Sequence, residues 1–176
     1  MKTDKERRKD FNEFKRNIKH HLLTTRFSEE TWKENIKYRI EKNHNGCIYC
    51  APDPINKNIP INSIMFVLEM NNNSNNIMGI GMIKNHSICN KYKVYEKDNY
   101  NRYVYIGKKR IDRTEMNEEE EKVMKIFDSL CFKGNKHMKR GQGIKSFPLD
   151  MLFNCKENIN IDLTTLISNM FKKRLI

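Results

Sequence analysis

The pattern of apolar and polar positions in residues 63–85 predicts two strands joined by an Asn-rich turn. Ile64 to Leu68 are apolar without a break, which is typical of a central strand with both faces covered. Gly79 and Gly81 lie two positions apart and therefore face the same side of the second strand. This pair indicates a sharply curved barrel strand, the interpretation we prefer, or the close approach of a backbone or a ligand.

Shorter patterns predict further strands around this hairpin. Residues 47–51 read as a short strand, and the alternation in residues 92–95 and 102–106 predicts two strands with one exposed face. Gly107 permits a tight turn into residues 108–111. These two strands also contain four tyrosines, a residue suited both to sheets and to stacking on bases: Tyr92, Tyr95, Tyr103 and Tyr105.

Helical spacing of apolar residues predicts helices on both sides of the strands. Residues 4–24 read as a charged helix with a narrow apolar seam. Ser28 is a good N-cap for a second helix, which ends near Lys42. Asn117 and Glu120 predict a capping box at the start of a third helix. A last helix is expected at residues 163–174. The predicted organisation is a basic helical arm (1–25) and one α+β domain (26–176) with a central hairpin (63–85) and a C-terminal helix.

The net charge of +12 predicts attraction to polyanions, with nucleic acid first, acidic proteins second and an anionic membrane surface third. Lysine is abundant together with Asn and Ile, a bias typical of AT-rich coding that weakens arguments from lysine counts alone. No apolar run reaches 18 residues, and the first ten residues lack the apolar core of a signal peptide. We therefore expect an intracellular protein without a membrane partner.

A glycine-rich basic loop follows the third predicted helix. Between Phe132 and Gly143, three glycines alternate with four cations: Lys133, Lys136, Lys139 and Arg140. Glycines let backbone N–H groups approach an anion, and the cations neutralise phosphate charge. The GxxxxGK[ST] spacing of a P-loop is absent. The alternative is a mobile surface loop in a lysine-rich protein.

Two Cys/His pairs have the spacing of zinc ligands. Cys47 and Cys50 form one pair, and His86 and Cys89 form the other. Each pair has the spacing to supply two of the four ligands of a tetrahedral zinc site. The alternative is that these cysteines are simple thiols, which the odd total of five cysteines favours. We expect no cofactor, and zinc is the one alternative that this spacing leaves open.

Catalytic motifs are missing from the chain. There is no HExxH, no serine nucleophile elbow, no dinucleotide fingerprint and no paired-carboxylate motif that can be anchored. The sequence therefore favours a protein that is not an enzyme, although a nuclease with unmarked carboxylates stays open.

One region resembles a known superfamily. Residues 46–49 (GCIY), a proline-bearing loop, residues 66–70 (FVLEM) and residues 77–82 (IMGIGM) are similar to the core of PUA-like barrels, most of all the EVE and YTH branches. Gly79-Ile80-Gly81 matches the Gly-[VI]-[AG] step of these families, with Gly81 where alanine is usual. Tyr49 is the nearest counterpart of the pocket aromatic, a position where these families commonly have tryptophan. The resemblance implies a small, mostly antiparallel β-barrel flanked by helices, with RNA or DNA bases as ligand.

The segments YNRYVYIGKKRIDR and FKGNKHMKRGQG also resemble uncharacterised proteins of large DNA viruses that infect amoebae and algae. This resemblance implies a viral protein in the host cytoplasm or the viral factory, or packaged in the virion. It implies no activity and no oligomeric state.

The leading hypothesis is a non-enzymatic nucleic-acid-binding module, with RNA favoured. Phosphates would be contacted by Lys133, Lys136, Lys139 and Arg140, and a base would be accepted near Tyr49, Gly79 and Gly81. The alternatives are a viral structural or host-protein interaction factor with an acidic partner, and a nuclease or other nucleic-acid enzyme.

Overall fold

The computed structural model describes residues 2–89 and 91–174. Within them lie five α-helices and eight strands: α1 (Asp4–Arg16), β1 (His21–Phe27), α2 (Glu29–Glu41), β2 (Cys47–Ala51), β3 (Ile64–Asn71), β4 (Asn76–Lys84), β5 (Ile88–Cys89), β6 (Tyr103–Gly107), β7 (Lys109–Asp112), α3 (Glu118–Phe132), β8 (Lys145–Ser146), α4 (Leu149–Ile159) and α5 (Leu163–Lys173). Short 3₁₀ turns occupy Asp98–Asn101 and Arg113–Glu115. None of the described helices combines the length and the apolar character needed to span a bilayer.

The strands form two sheets. The larger has five strands in the order β7-β4-β3-β1-β8, with β1 and β3 parallel and the other neighbours antiparallel. The smaller has three antiparallel strands in the order β2-β6-β5. The predicted α+β class is therefore confirmed. No closed barrel is formed by the described strands, so the predicted barrel is not confirmed.

Strand β3, in the middle of the five-stranded sheet, is buried on both faces from Met65 onward, as its apolar run predicts, and only Ile64 at its start is exposed. On one face, Phe66 and Leu68 belong to a core that includes Phe127 of α3 and Phe171 of α5. On the other face, Val67 packs in a second core formed with the three-stranded sheet. Apolar side chains must point both ways from a strand that lies between two layers.

The predicted helix at residues 4–24 is wrong beyond Arg16. Helix α1 ends at Arg16, with Asn17 as its C-cap, and His21–Phe27 form β1, which pairs in parallel with β3 over seven residues. The boundary predicted at residue 25 therefore falls inside a strand. The helical spacing of Phe11 and Phe14 happens to continue to Leu22, but pairing with β3 decides the structure of this segment.

The strand predicted at residues 92–95 is also wrong. The backbone N–H groups of Val94 and Tyr95 donate to the side-chain oxygen Oδ1 of Asn101, at 2.9 and 3.0 Å, instead of pairing with a neighbouring strand. By contrast, the hairpin, β2, the Ser28 N-cap and the capping box of α3 are all confirmed. Strand β6 is confirmed as a strand, but the exposed face predicted for it is wrong, because none of its residues is exposed. The sequence patterns do not predict β7, helix α4 or the two-residue strands β5 and β8.

Candidate nucleic-acid interface

The basic loop, residues 133–145, crosses the carboxyl ends of the parallel strands β1 and β3. Arg26 of β1 donates from Nε to the carbonyl of Met138 at 2.5 Å, and Asn72, just after β3, donates from Nδ2 to the carbonyl of Lys139 at 2.9 Å. The Met138 amide donates to the carbonyl of Cys131 at 2.7 Å, and the Met138 side chain is buried in the helical core. The loop is therefore anchored in its middle by backbone and side-chain contacts.

The cations of this loop are largely uncompensated. Lys133, Lys136 and Arg140 are exposed, and Lys139 is half-buried. Lys136 lies 3.8 Å from Asp150. In the described part of the chain, no carboxylate lies within 4.0 Å of the charged groups of Lys133, Lys139 or Arg140. Their charge is consequently free to attract an anion.

Two glycines shape the end of the loop. Gly141 has φ +113° and Gly143 has φ +69°, which are backbone conformations that side chains disfavour. A Cβ atom on Gly143 would lie 3.2 Å from Cβ of Ala51 in β2. The loop therefore passes close to the three-stranded sheet on its way to β8.

A small cavity of about 190 Å³ lies beside the loop. Gly141 and Gly143 of the loop line it, together with Arg26 of β1, Asn72 just after β3 and Thr31 in the first turn of α2. Nη1 of Arg26 and Oδ1 of Asn72 are buried and have no hydrogen-bond partner among the described residues. Burial lowers the pKa of Arg26, but a guanidinium remains charged at neutral pH.

The predicted base-binding patch is closed. Tyr49 is 1% exposed, and Gly79 and Gly81 are buried. A Cβ atom on Gly81 would lie 2.0 Å from the Tyr49 hydroxyl, and one on Gly79 would lie 2.9 Å from Oε2 of Glu69. Both glycines therefore make room for side chains of this protein. The ring of Tyr49 has no open face on which a base could stack.

Tyr49 belongs to a buried polar network that joins both sheets. Its hydroxyl donates to Oε1 of Glu69 at 2.7 Å, and Arg110 of β7 donates to both oxygens of Glu69 at 2.7 to 3.1 Å. Arg110 also donates to Asp112 at 2.7 Å, and its guanidinium carbon lies 5.6 Å from the ring centre of Trp32. Burial and the nearby negative charge of Glu69 raise the pKa of Tyr49, which keeps its hydroxyl protonated as a donor.

The structure does not bring the predicted zinc ligands together. Side chains alternate along β2, so Cys47 and Cys50 point to opposite faces of the strand. His86 and Cys89 are exposed. Within residues 2–89 and 91–174, no cluster of three or more His, Cys, Asp or Glu side chains is placed to hold a metal ion. Burial raises the pKa of Cys47 to about 12, so this thiol stays protonated.

Sequence reasoning missed the residues that hold the basic loop in place. Arg26 lies between the helix predicted at residues 4–24 and the one that follows Ser28, and Asn72 lies in the predicted Asn-rich turn. The run Leu22 to Phe27, with Leu-Leu followed by two threonines, carries a strand signal that would have placed Arg26 at the end of a strand.

Comparisons of the chain with family models, curated proteins and solved structures found no match.

Proposed function

We propose that this protein is a non-enzymatic nucleic-acid-binding module and that the basic loop contacts the phosphate backbone. The observation that carries the proposal is the anchored loop, on which Lys133, Lys139 and Arg140 have no carboxylate partner among the described residues. RNA is favoured over DNA because of the resemblance to PUA-like proteins.

An anchored loop suits this task better than a mobile one. Because the loop backbone is already in place, only the side chains of its cations are ordered when phosphate binds, so less conformational entropy is lost and more of the electrostatic gain is kept as affinity. Each phosphate that is neutralised also releases condensed counterions, which makes binding depend on salt concentration. The positive φ angles of Gly141 and Gly143 turn the backbone sharply beside the cavity.

We further propose that the two sheets are parts of an opened PUA-like barrel. Only Lys108 separates β6 from β7, so one segment of chain passes from the three-stranded sheet into the five-stranded sheet. At the other side, Gly143 approaches Ala51 of β2 just before the chain enters β8. These two approaches support a barrel-like closure.

The proposal is tested by measuring the affinity of labelled single-stranded RNA, duplex RNA and duplex DNA over a series of salt concentrations. Replacing Lys139 and Arg140 together with Ala should weaken binding and reduce the salt slope for a single strand by about 1.4, since each lost phosphate contact contributes about 0.7. Lys5 and Arg8 on α1 are the matched control, because both are exposed and the pair removes the same charge. Their replacement with Ala should leave most of the slope intact.

An unchanged slope in the Lys139→Ala, Arg140→Ala variant would remove the loop from the interface. Absence of binding to all three nucleic acids, together with salt-sensitive capture of an acidic protein, would favour the interaction factor instead. Cleavage of the labelled strands in the presence of a divalent metal ion would favour a nuclease.

A further inference from the structure

A second basic surface lies at the carboxyl end of α2. It is a groove of about 570 Å³, within the range of about 300–1,000 Å³ that is typical of ligand pockets. Ile48 of β2 and Ile106 of β6 contribute apolar surface to it. The remaining lining is aromatic or basic: Tyr38, Lys42, His44, Lys91, Tyr92 and Lys93.

The groove pairs each tyrosine with a cation. Nζ of Lys42 lies 6.0 Å from the ring centre of Tyr38, and Nζ of Lys91 lies 5.6 Å from the ring centre of Tyr92. Both tyrosines are half-buried and both lysines are exposed. The rings are thus held by the fold, whereas the ammonium groups are on long side chains that are able to move.

Charge in the groove is of one sign. No acidic side chain is among its described lining residues. Lys93 lies 3.4 Å from Asp98 outside the groove, but Lys42 and Lys91 have no carboxylate within 4.0 Å in the described part of the chain. A ligand that fits must therefore combine negative charge with flat apolar surface.

We propose that this groove binds unpaired bases of a single-stranded nucleic acid, which stack on Tyr38 and Tyr92 while Lys42 and Lys91 contact the flanking phosphates. The inference rests on the function proposed above and adds to it a second site and a preference for single strands. Stacking on aromatic rings needs an exposed base face, which a single strand offers and a duplex keeps inside its own stack. An acidic peptide would satisfy the lysines but would leave the paired tyrosine rings without a role.

The test uses the full chain and a single-stranded RNA that contains 2-aminopurine, whose fluorescence falls when the base stacks. Replacing Tyr38 and Tyr92 together with Leu should weaken binding by about 30-fold or more, because two stacked bases are lost and each contributes at least a factor of about 5. The same replacement should abolish the quenching. The salt slope should stay unchanged, since no cation is removed. The Tyr38→Phe, Tyr92→Phe variant keeps both rings and should bind within about twofold of the unmodified protein.

Tyr103→Leu is the matched control, because Tyr103 is also half-buried but lies outside the groove. It should bind like the unmodified protein. Circular dichroism checks that each variant is folded. If the double Leu variant does not fold, photocrosslinking of 5-bromouracil RNA to the unmodified protein replaces it, and crosslinks at Tyr38 or Tyr92 are expected.

Unaltered affinity and quenching in a folded double Leu variant would overturn the inference, as would crosslinks that avoid both tyrosines. Such a result leaves the proposed function standing if the loop variant still lowers the salt slope. If the unmodified protein binds no nucleic acid at all, the proposed function is wrong, and the inference about the groove is wrong with it. Binding of a polyglutamate peptide that depends on both tyrosine rings would assign the groove to acidic peptides and would also overturn the inference.

Discussion

Gly81 shows why a residue pattern reveals a close approach but not the group that approaches. Two glycines on one face of β4 indicate that something lies against the strand, and the sequence could not distinguish a ligand from the protein itself. The structure places the hydroxyl of Tyr49 and the thiol of Cys47 over Gly81. Both come from β2, which is far from β4 in the sequence, so only the packing of one sheet on the other identifies them.

Replacing Gly81 with Ala should destabilise the fold by about 3 kcal/mol, at the upper end of overpacking effects. The new Cβ would lie 2.0 Å from the Tyr49 hydroxyl and 2.6 Å from Sγ of Cys47. Tyr49 has little freedom to move away because it is buried and donates to Glu69. Urea unfolding followed by circular dichroism measures the effect.

Gly134 is the control for this substitution. It has φ +75°, but a Cβ there would meet no atom within 4 Å, so Gly134→Ala should cost only the backbone strain of about 1 kcal/mol. If Gly81→Ala is as stable as Gly134→Ala, the close packing of Tyr49 over Gly81 is wrong.

At the scale of elements, local signals predicted what local interactions decide. The capping box of α3 forms as expected, with the Asn117 side chain accepting from the Glu120 amide and the Glu120 side chain accepting in return. Strand β1 was missed because its structure depends on pairing with β3, more than forty residues away along the chain. The basic loop also has a local signal, because glycines and cations coincide within residues 133–145. Its anchors Arg26 and Asn72 have no such signal, because they lie in β1 and after β3, far from the loop in the sequence.

Arg174 connects the end of α5 to the start of α3. Its guanidinium donates to both carboxylate oxygens of Glu120, at 2.7 and 2.8 Å, and these hydrogen bonds lower the pKa of Glu120. Glu120 is buried. Arg174→Met should therefore lower the free energy of unfolding at pH 7 by about 1.5–3 kcal/mol, the contribution of hydrogen bonds to charged groups.

The pH dependence follows from the direction of this shift. A carboxyl whose pKa is lower in the folded state stabilises the fold above its unfolded pKa of about 4.3, and this contribution is lost as the pH falls through the folded pKa. The difference between the Arg174→Met variant and the unmodified protein should thus shrink below about pH 4. Lys37→Met removes only the exposed, 3.9 Å pair with Glu41 and should change stability little at any pH. A constant difference from pH 7 to pH 3 would show that Glu120 is not the group involved.

At the scale of the whole molecule, α2 connects the two basic surfaces. Thr31 in its first turn lines the cavity beside the basic loop, and Tyr38 and Lys42 at its other end line the groove. The eleven positions from Thr31 to Lys42 correspond to about 16 Å along a helix axis. At about 3.4 Å per stacked nucleotide, this distance is spanned by roughly five nucleotides.

If one strand occupies both surfaces, affinity should depend on strand length in two stages. Oligonucleotides shorter than about five nucleotides reach only one surface, and longer ones gain the second contact as an intramolecular event with a high effective concentration. We expect a steep rise in affinity near this length and only a statistical increase beyond it, measured by fluorescence anisotropy with single-stranded RNA of 3 to 12 nucleotides.

The Tyr38→Leu, Tyr92→Leu variant and the Lys139→Ala, Arg140→Ala variant should each lose the steep rise, because either change leaves a single surface. A smooth, length-proportional increase in the unmodified protein would instead mean that the loop and the groove bind separate strands, and that α2 does not lie along the path of a single ligand.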